Sequence, residues 1–204
     1  MFLTKLTLDT RSAAARRDLA SAYEMHRTLS RAFAECDDKP PSRFLWRLEN
    51  TDAALGQAVL LVQSQEEGRW DRLPCNEYTF DVASKNLAWN QLLVAGARYR
   101  FRLLANPTVT RDGKRYGLTI EAEQLGWLER QLQKAGCSVQ GVIRSRSERW
   151  TIRKKGHLIT VQAVGFDGVL VAGDVSLLEQ TVANGVGHAK SLGLGLLSLA
   201  RLRE

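Results

Sequence analysis

Apolar and basic residues alternate strictly along one short stretch, and this stretch constrains the second half of the chain most strongly. The apolar residues on one side of this stretch are Tyr99, Phe101 and Leu103. The arginines on the other side are Arg98, Arg100 and Arg102. A period of two residues is typical of a strand with one buried face. The sequence therefore predicts a half-buried strand that carries an arginine ladder, and this ladder is either a solvated sheet face or a surface with a function of its own.

The residues after this strand predict a regular succession of elements. Residues 121–135 are strongly helical, with leucines on one side and Gly136 as the stop signal. Two strands follow at 137–144 and 157–171, then a helix at 175–183 capped by Asp174, then a final apolar strand. The order βαββαβ is that of a ferredoxin-like unit.

The first half predicts a similar order. Strands are expected at 2–8, 44–48, 58–63 and 78–82, a helix at 21–34, and a weakly helical or looped region around Trp70. We therefore expect an α+β protein of two tandem ferredoxin-like domains, residues 1–94 and 95–204. The order of elements carries this prediction, since the halves show no obvious sequence repeat.

Composition limits the classes of function. The net charge is +7 with a pI near 9.6, and arginine outnumbers lysine by 21 to 8. This favours a polyanionic partner, most simply nucleic acid.

No apolar run approaches the ~20 residues of a membrane span, and the N-terminus lacks a signal peptide, so we expect a cytoplasmic protein. Cys36, Cys75 and Cys137 lack metal-ligand spacing, and we expect neither a metal nor a cofactor.

The helix at 21–34 is where we expect chemistry. Ser21 and Glu24 form a capping-box signature. One face is apolar, and the other gathers polar groups suited to phosphate chemistry: Tyr23, His26, Arg27, Ser30 and Arg31. An imidazole transfers protons near neutral pH, and arginine forks bind phosphate oxygens. The plainer interpretation is a solvated helix face with one ordinary histidine.

Two further stretches suggest anion binding. The connector Arg144–Lys155 interleaves basic residues with Trp150, which suits an RNA stem or loop, although a solvated turn has the same composition. The segment 184–195 combines Lys190 with four glycines, namely Gly185, Gly187, Gly193 and Gly195. Backbone N–H groups between glycines can approach phosphates, but tight packing between domains would explain these glycines nearly as well.

Several segments together resemble one known family. They are FLTKLTL, AARRDLASAYEMHRTLSRAF, RFRLLANP, the RKK hairpin before VQAV, and GVGHAKSLGLGLLSL. The chain is similar, nearly from end to end, to the CasE-type endoribonucleases of type I-E CRISPR systems, within the RAMP superfamily. The resemblance implies tandem ferredoxin-like domains, cleavage of the precursor CRISPR RNA repeat beside its stem-loop, and retention of the product in the Cascade complex.

The resemblance also implies roles for individual residues. His26 matches the catalytic histidine of the family and Tyr23 its accompanying tyrosine. Arg31 stands where some members have lysine. The basic hairpin that such enzymes place against the RNA stem is matched by Arg153, Lys154 and Lys155. The residues themselves agree, because cleavage by the RNA 2′-OH requires a base, an acid and cations.

Two other functions remain compatible with the sequence. A noncatalytic RNA-binding module that holds a guide RNA would need the same fold and charge but no histidine at position 26. An enzyme that binds a nucleotide through the glycine-rich loop is less well supported, because no nucleotide motif is complete.

Overall fold

Two four-stranded antiparallel sheets form the framework of the protein. The structure is a computed structural model that describes residues 1–36, 39–74, 77–154 and 157–202, with only the backbone described at Lys154. Its strands are β1 Phe2–Asp9, β2 Phe44–Asp52, β3 Gln57–Ser64, β4 Thr79–Asn86, β5 Arg98–Ala105, β6 Thr108–Arg111, β7 Lys114–Gly117, β8 Cys137–Lys154, β9 His157–Ala172 and β10 Leu197–Arg201.

The two sheets share one strand order. The first is ordered β2-β3-β1-β4 and the second β10-β5-β9-β8. Numbered within its own sheet, each reads 4-1-3-2 from one edge to the other, which is the arrangement of a ferredoxin-like fold. The predicted α+β class with tandem ferredoxin-like units is confirmed.

Five helices connect the strands in the described parts of the chain. They are α1 Ala13–Leu19, α2 Ala22–Arg31, α3 Trp89–Leu92, α4 Glu121–Lys134 and α5 Val175–Asn184. The region around Trp70, expected to be weakly helical or looped, contains a single 3-10 turn, Trp70–Arg72. Only five residues separate Gly68 from Pro74, which leaves no room for a longer helix.

The chain divides into two compact units. Their segments are Met1–Leu87, Ile152–His157 and Ser191–Gly193 for the first, and Ala88–Thr151, Leu158–Lys190 and Leu194–Glu204 for the second. In the first unit, Met25 and Leu29 of α2 are buried in one core with Leu6, Leu60 and Trp46. The apolar side of α2 is therefore the core face that its sequence predicted.

The second unit follows the same principle. Tyr99, Phe101 and Leu103 are buried while the arginines between them are exposed, so the predicted alternation along β5 is confirmed. Trp127 of α4 stacks on Phe166 of β9, with ring centroids 6.4 Å apart. This contact joins a helix to the inner face of the second sheet.

The basic segment 144–155 differs from its predicted form as a connector. β8 continues through it to Lys154 and spans 18 residues, and β9 begins at His157. The density of charge suggested a turn, but a hairpin arm needs only backbone pairing, and Trp150, Thr151 and Ile152 all favour extended structure. The basic residues from Arg144 to Lys154 thus lie on a long strand.

A tight turn at residues 111–114 joins β6 to β7. Asp112 and Gly113 both have positive φ, at 49° and 73°, and Arg111 pairs with Lys114 across the turn. This is the backbone of a two-residue type I′ hairpin.

No helix in the described part of the chain has the length and apolar character to cross a membrane.

Candidate functional site

Helix α2 carries the predicted chemical groups, and local contacts fix where it begins. The Ser21 hydroxyl accepts a hydrogen bond of 3.4 Å from the Glu24 N–H, as the capping signature predicted. The Glu24 carboxylate lies 2.9 Å from the guanidinium of Arg27 on the next turn. The first turn is therefore held by its cap and by one ion pair.

His26 lies at one end of a series of packed rings. Its imidazole stacks on Phe44 of β2, with centroids 4.9 Å apart, and Phe44 stacks on Phe33 at 4.7 Å. Phe33 in turn meets Trp70 edge to face at 5.5 Å. We call His26, Phe44, Phe33 and Trp70 the aromatic column. Phe33 and Phe44 are buried and His26 is half-buried, so the column holds the imidazole at the boundary between core and solvent.

The other predicted groups of α2 lie beside His26. Tyr23 is half-buried one turn before it, while Arg27 and Arg31 are exposed. The Ser30 hydroxyl donates a hydrogen bond of 2.7 Å to the His26 carbonyl oxygen, so this hydroxyl is engaged within the helix. Residues three and four apart are neighbours on a helix surface, and α2 therefore brings the phenol, the imidazole and two guanidinium groups together.

An open depression of about 980 Å³ adjoins this face. Its lining is rich in cations and comprises Arg27, Ser30, Arg31, Ala34, Glu35, Cys36, Lys39, Pro41 and Arg72. The Arg72 guanidinium donates a 2.5 Å hydrogen bond to the Ala34 carbonyl oxygen, and Arg69 donates to the same oxygen. Sequence reasoning missed Arg69 and Arg72, because no local pattern links them to the end of α2.

A buried hydrogen bond between Tyr78 and Asp18 lies against the core side of α2, and the sequence patterns did not predict it. The Tyr78 hydroxyl donates a 2.8 Å hydrogen bond to the carboxylate of Asp18, which is 1% exposed. Arg17 forms an ion pair with this carboxylate at 2.7 Å. The same Tyr78 hydroxyl lies 3.7 Å from the Met25 sulfur. Burial raises the pKa of Tyr78, and the neighbouring Asp18 carboxylate raises it further.

The basic hairpin is described only in part. Arg153 is exposed on β8, the side chain of Lys154 is not described, and Lys155 lies outside the described residues. Further down the same strand, Arg144 forms an ion pair with Glu121 of α4 at 2.7 Å, and the Trp150 indole N–H donates to Glu148 at 3.0 Å. The Arg153 side chain is therefore exposed, whereas Arg144 is held against α4.

The four predicted glycines of segment 184–195 all have positive φ, between 68° and 93°. A Cβ on Gly187 would lie 3.0 Å from the Trp127 ring, and one on Gly193 would lie 2.9 Å from the Trp46 ring. The N–H groups of Gly185 and Gly195 donate to backbone carbonyl oxygens. Backbone conformation and close packing therefore account for these glycines, and their binding of RNA stays a prediction.

Lys190 begins a 3-10 turn within the same segment. It lies near His188, whose pKa is lowered by partial desolvation and then by the positive charges of Arg115 and Lys190. His188 and Arg115 are exposed, so this cluster offers cationic groups to solvent.

The described residues include no group of three or more His, Cys, Asp and Glu side chains placed to hold a metal ion. Cys36 is exposed and Cys137 is buried, while Cys75 lies outside the described residues. Burial raises the pKa of the Cys137 thiol to about 11.

Comparison with known proteins gives consistent matches over almost the whole chain. A family model described as "CRISPR associated protein" matches residues 1–201. The chain is 39% identical to the CRISPR-associated endoribonuclease Cse3 of Thermus thermophilus, over 98% of this chain and 100% of the relative. It is 33% identical to the CRISPR system Cascade subunit CasE of Escherichia coli, over 99% and 100%.

A solved structure agrees with the sequence matches. The structure of CRISPR endoribonuclease Cse3 bound to 19 nt RNA superposes with a TM-score of 0.88 at 41% identity, covering 98% of this chain and 100% of that one. The likeness thus extends to both sheets and includes a relative captured with RNA.

Proposed function

The chain belongs to the CRISPR-associated protein family, and from this premise we propose that it is a metal-independent endoribonuclease. It cleaves the repeat of precursor CRISPR RNA beside its stem-loop through attack of a 2′-OH group. It then stays bound to the mature RNA as a subunit of the Cascade complex, in the cytoplasm.

The observation that carries this proposal is the position of His26. The aromatic column holds the imidazole half-exposed, on the same helix face as Tyr23, Arg27 and Arg31. A general acid–base group needs such a place, because it must reach a substrate proton while its ring stays oriented. A relative matched over 98% of this chain is named as an endoribonuclease, and a structure of Thermus thermophilus Cse3 contains RNA.

The reaction needs only proton transfer and charge stabilisation. The 2′-oxygen attacks the adjacent phosphorus as its proton leaves, and the 5′-oxygen departs with a proton, which leaves a 2′,3′-cyclic phosphate. His26 is the principal proton-transfer group, as either the base or the acid, and Tyr23 positions the RNA or shares that role. Arg27 and Arg31 stabilise the charge on the phosphorane, although Arg27 shares its charge with Glu24.

Other groups bind the RNA without taking part in the chemistry. We assign the stem to the hairpin residues Arg153, Lys154 and Lys155, and further phosphate contacts to Lys190 with Gly185, Gly187, Gly193 and Gly195. Arg153 is exposed on a long strand, where its guanidinium can reach the phosphates of an RNA stem. Contacts of this kind survive cleavage, so the product is retained.

One assay tests the proposal against a noncatalytic RNA-binding module. A labelled stem-loop repeat RNA is incubated with the protein in EDTA, in parallel with the same RNA carrying one 2′-deoxy substitution just upstream of the cut. We expect the first RNA to be cut once beside the stem, leaving a cyclic or derived terminal phosphate, and the second to stay intact. Binding without a cut would make the protein a module, and magnesium dependence or cleavage of the deoxy RNA would refute the mechanism.

A further inference from the structure

The arginine ladder of β5 has no part in the proposed cleavage, and its three arginines share one exposed face of the strand. Arg98, Arg100 and Arg102 are all exposed, on the face of the second sheet opposite its core. Alternate residues of a strand repeat roughly every 6.8 Å. The three arginine side chains thus leave the strand in a row, and β5 is a central strand of the sheet, between β9 and β10.

Neighbouring side chains orient two of these arginines. The Arg98 Nε donates a 3.0 Å hydrogen bond to the Gln140 side chain, and the Arg102 Nε donates at 2.7 Å to the Asp167 carboxylate. An oriented guanidinium loses less freedom when it binds an anion than a mobile one does.

The residues beside the ladder leave room for a ligand to lie on the sheet. The positions directly opposite the three arginines are small or β-branched, with one acid among them: Val171, Val169 and Asp167 on β9, and Ser198 and Ala200 on β10. Three cations facing one carboxylate leave the row positive, so charge complementarity selects an anion. A row of cations at regular spacing suits a polymer of phosphates.

We propose that Arg98, Arg100 and Arg102 bind a single-stranded RNA segment through its phosphates. This proposal rests on the proposed function for the identity of the RNA. If the protein cleaves the CRISPR repeat, the single-stranded segment on the ladder is the unpaired RNA that flanks the stem-loop. Binding to the ladder is independent of sequence, because phosphate contacts carry no base information.

The test compares two double variants that each remove two positive charges from exposed positions of the second unit. The first, Arg98→Gln with Arg100→Gln, disrupts the ladder. The second, Arg130→Gln with Lys134→Gln, lies on α4 and is the matched control. Fluorescence anisotropy measures their binding to a single-stranded oligouridine and to the stem-loop RNA without flanking residues, over a series of salt concentrations.

The ladder variant is expected to bind oligouridine roughly tenfold more weakly at low salt. Its salt slope should be smaller by about 1.4, because each neutralised phosphate of a single strand contributes about 0.7 to the slope. Its binding to the bare stem-loop should match that of the control. Equal losses of affinity in both variants, no loss in either, or a loss confined to the stem-loop would each overturn the proposal.

This readout is separate from cleavage. Oligouridine has no stem to be recognised, so a failure of the EDTA assay would leave the ladder result intact. Thermal unfolding followed by circular dichroism checks that both variants keep the parental fold.

Discussion

The imidazole of His26 lies against the phenyl ring of Phe44, with the ring centroids 4.9 Å apart and the ring planes 24° apart. Phe44 belongs to β2 and is buried, so the surface against which the imidazole stacks is part of the core of the first unit. The orientation of the proposed catalytic group is therefore set by the fold before RNA arrives, which is how preorganised groups lower a barrier.

Replacement of His26 by alanine should slow cleavage by roughly 10²- to 10⁴-fold, because one general acid–base group is removed. Folding and RNA affinity should change little, since the side chain is half-buried at the end of the column. Single-turnover cleavage with saturating enzyme measures the rate, and a gel shift measures affinity. Tyr23→Phe should cost less if Tyr23 positions the RNA. Near-normal cleavage by His26→Ala would remove this helix face from the chemistry.

Phe44→Leu tests whether stacking orients His26. The variant keeps an apolar side chain but removes the ring, and we expect a decrease in cleavage rate of up to roughly 10²-fold with RNA affinity retained. Phe166→Leu is the matched control, because Phe166 is a buried ring stacked on Trp127 in the second unit. Both variants should lose about 1 kcal/mol of unfolding free energy. If Phe44→Leu and Phe166→Leu cleave the RNA at the same rate, the stacking on Phe44 contributes packing and does not orient His26.

Alanine at Arg153, Lys154 and Lys155 should weaken binding of the stem-loop and lower its salt slope. The slope should fall by about 1 for each phosphate that the variant no longer neutralises. Cleavage at saturating enzyme should fall much less than binding, since these residues do not take part in proton transfer. The double variant at Arg130 and Lys134 again serves as the control. An unchanged salt slope would reduce the hairpin to a solvated strand.

Tyr78→Phe should destabilise the protein by about 1–3 kcal/mol, because the buried Asp18 carboxylate loses a hydrogen bond. The raised pKa of Tyr78 adds a dependence on pH. Above about pH 10 the unfolded chain loses a proton that the folded chain keeps, so stability falls as pH rises. Urea unfolding at pH 8 and above pH 10 should show a smaller alkaline loss of stability in the variant. Tyr116→Phe, at an exposed position, should behave like the parent.

Thiol labelling in a Cys75→Ser variant should distinguish the other two cysteines. The thiolate is the reactive form, and with a pKa of about 11 the buried Cys137 should stay unlabelled at pH 8 in the folded protein. Cys36 is exposed in the depression beside Arg27 and Arg31 and should react. Bound stem-loop RNA should slow the labelling of Cys36 if the RNA covers this face. Labelling at an unchanged rate would place the RNA elsewhere.

Features set by neighbours in sequence could be predicted. The cap of α2, its apolar side and the alternation along β5 all depend on residues within a few positions of one another, and periodicity reveals them.

Features that depend on distant residues could not be predicted. The stacking of His26 on Phe44 joins a helix to the next strand, and the bond from Tyr78 to Asp18 spans 60 positions. No local pattern encodes such pairs. The length of β8 could not be predicted for a different reason: most of residues 144–155 are polar or charged, and only Trp150, Thr151 and Ile152 favour extended structure.

The glycines of segment 184–195 bear on how an alignment of relatives should be interpreted. Each has a positive φ, and a Cβ on Gly187 or Gly193 would also lie 3.0 or 2.9 Å from a tryptophan ring, which is closer than ordinary packing. Selection for folding alone would preserve these glycines through evolution, whether or not RNA touches them. If Arg100 and Arg153 bind RNA as proposed, selection for that contact would instead preserve arginine at these exposed positions, where packing alone does not require it.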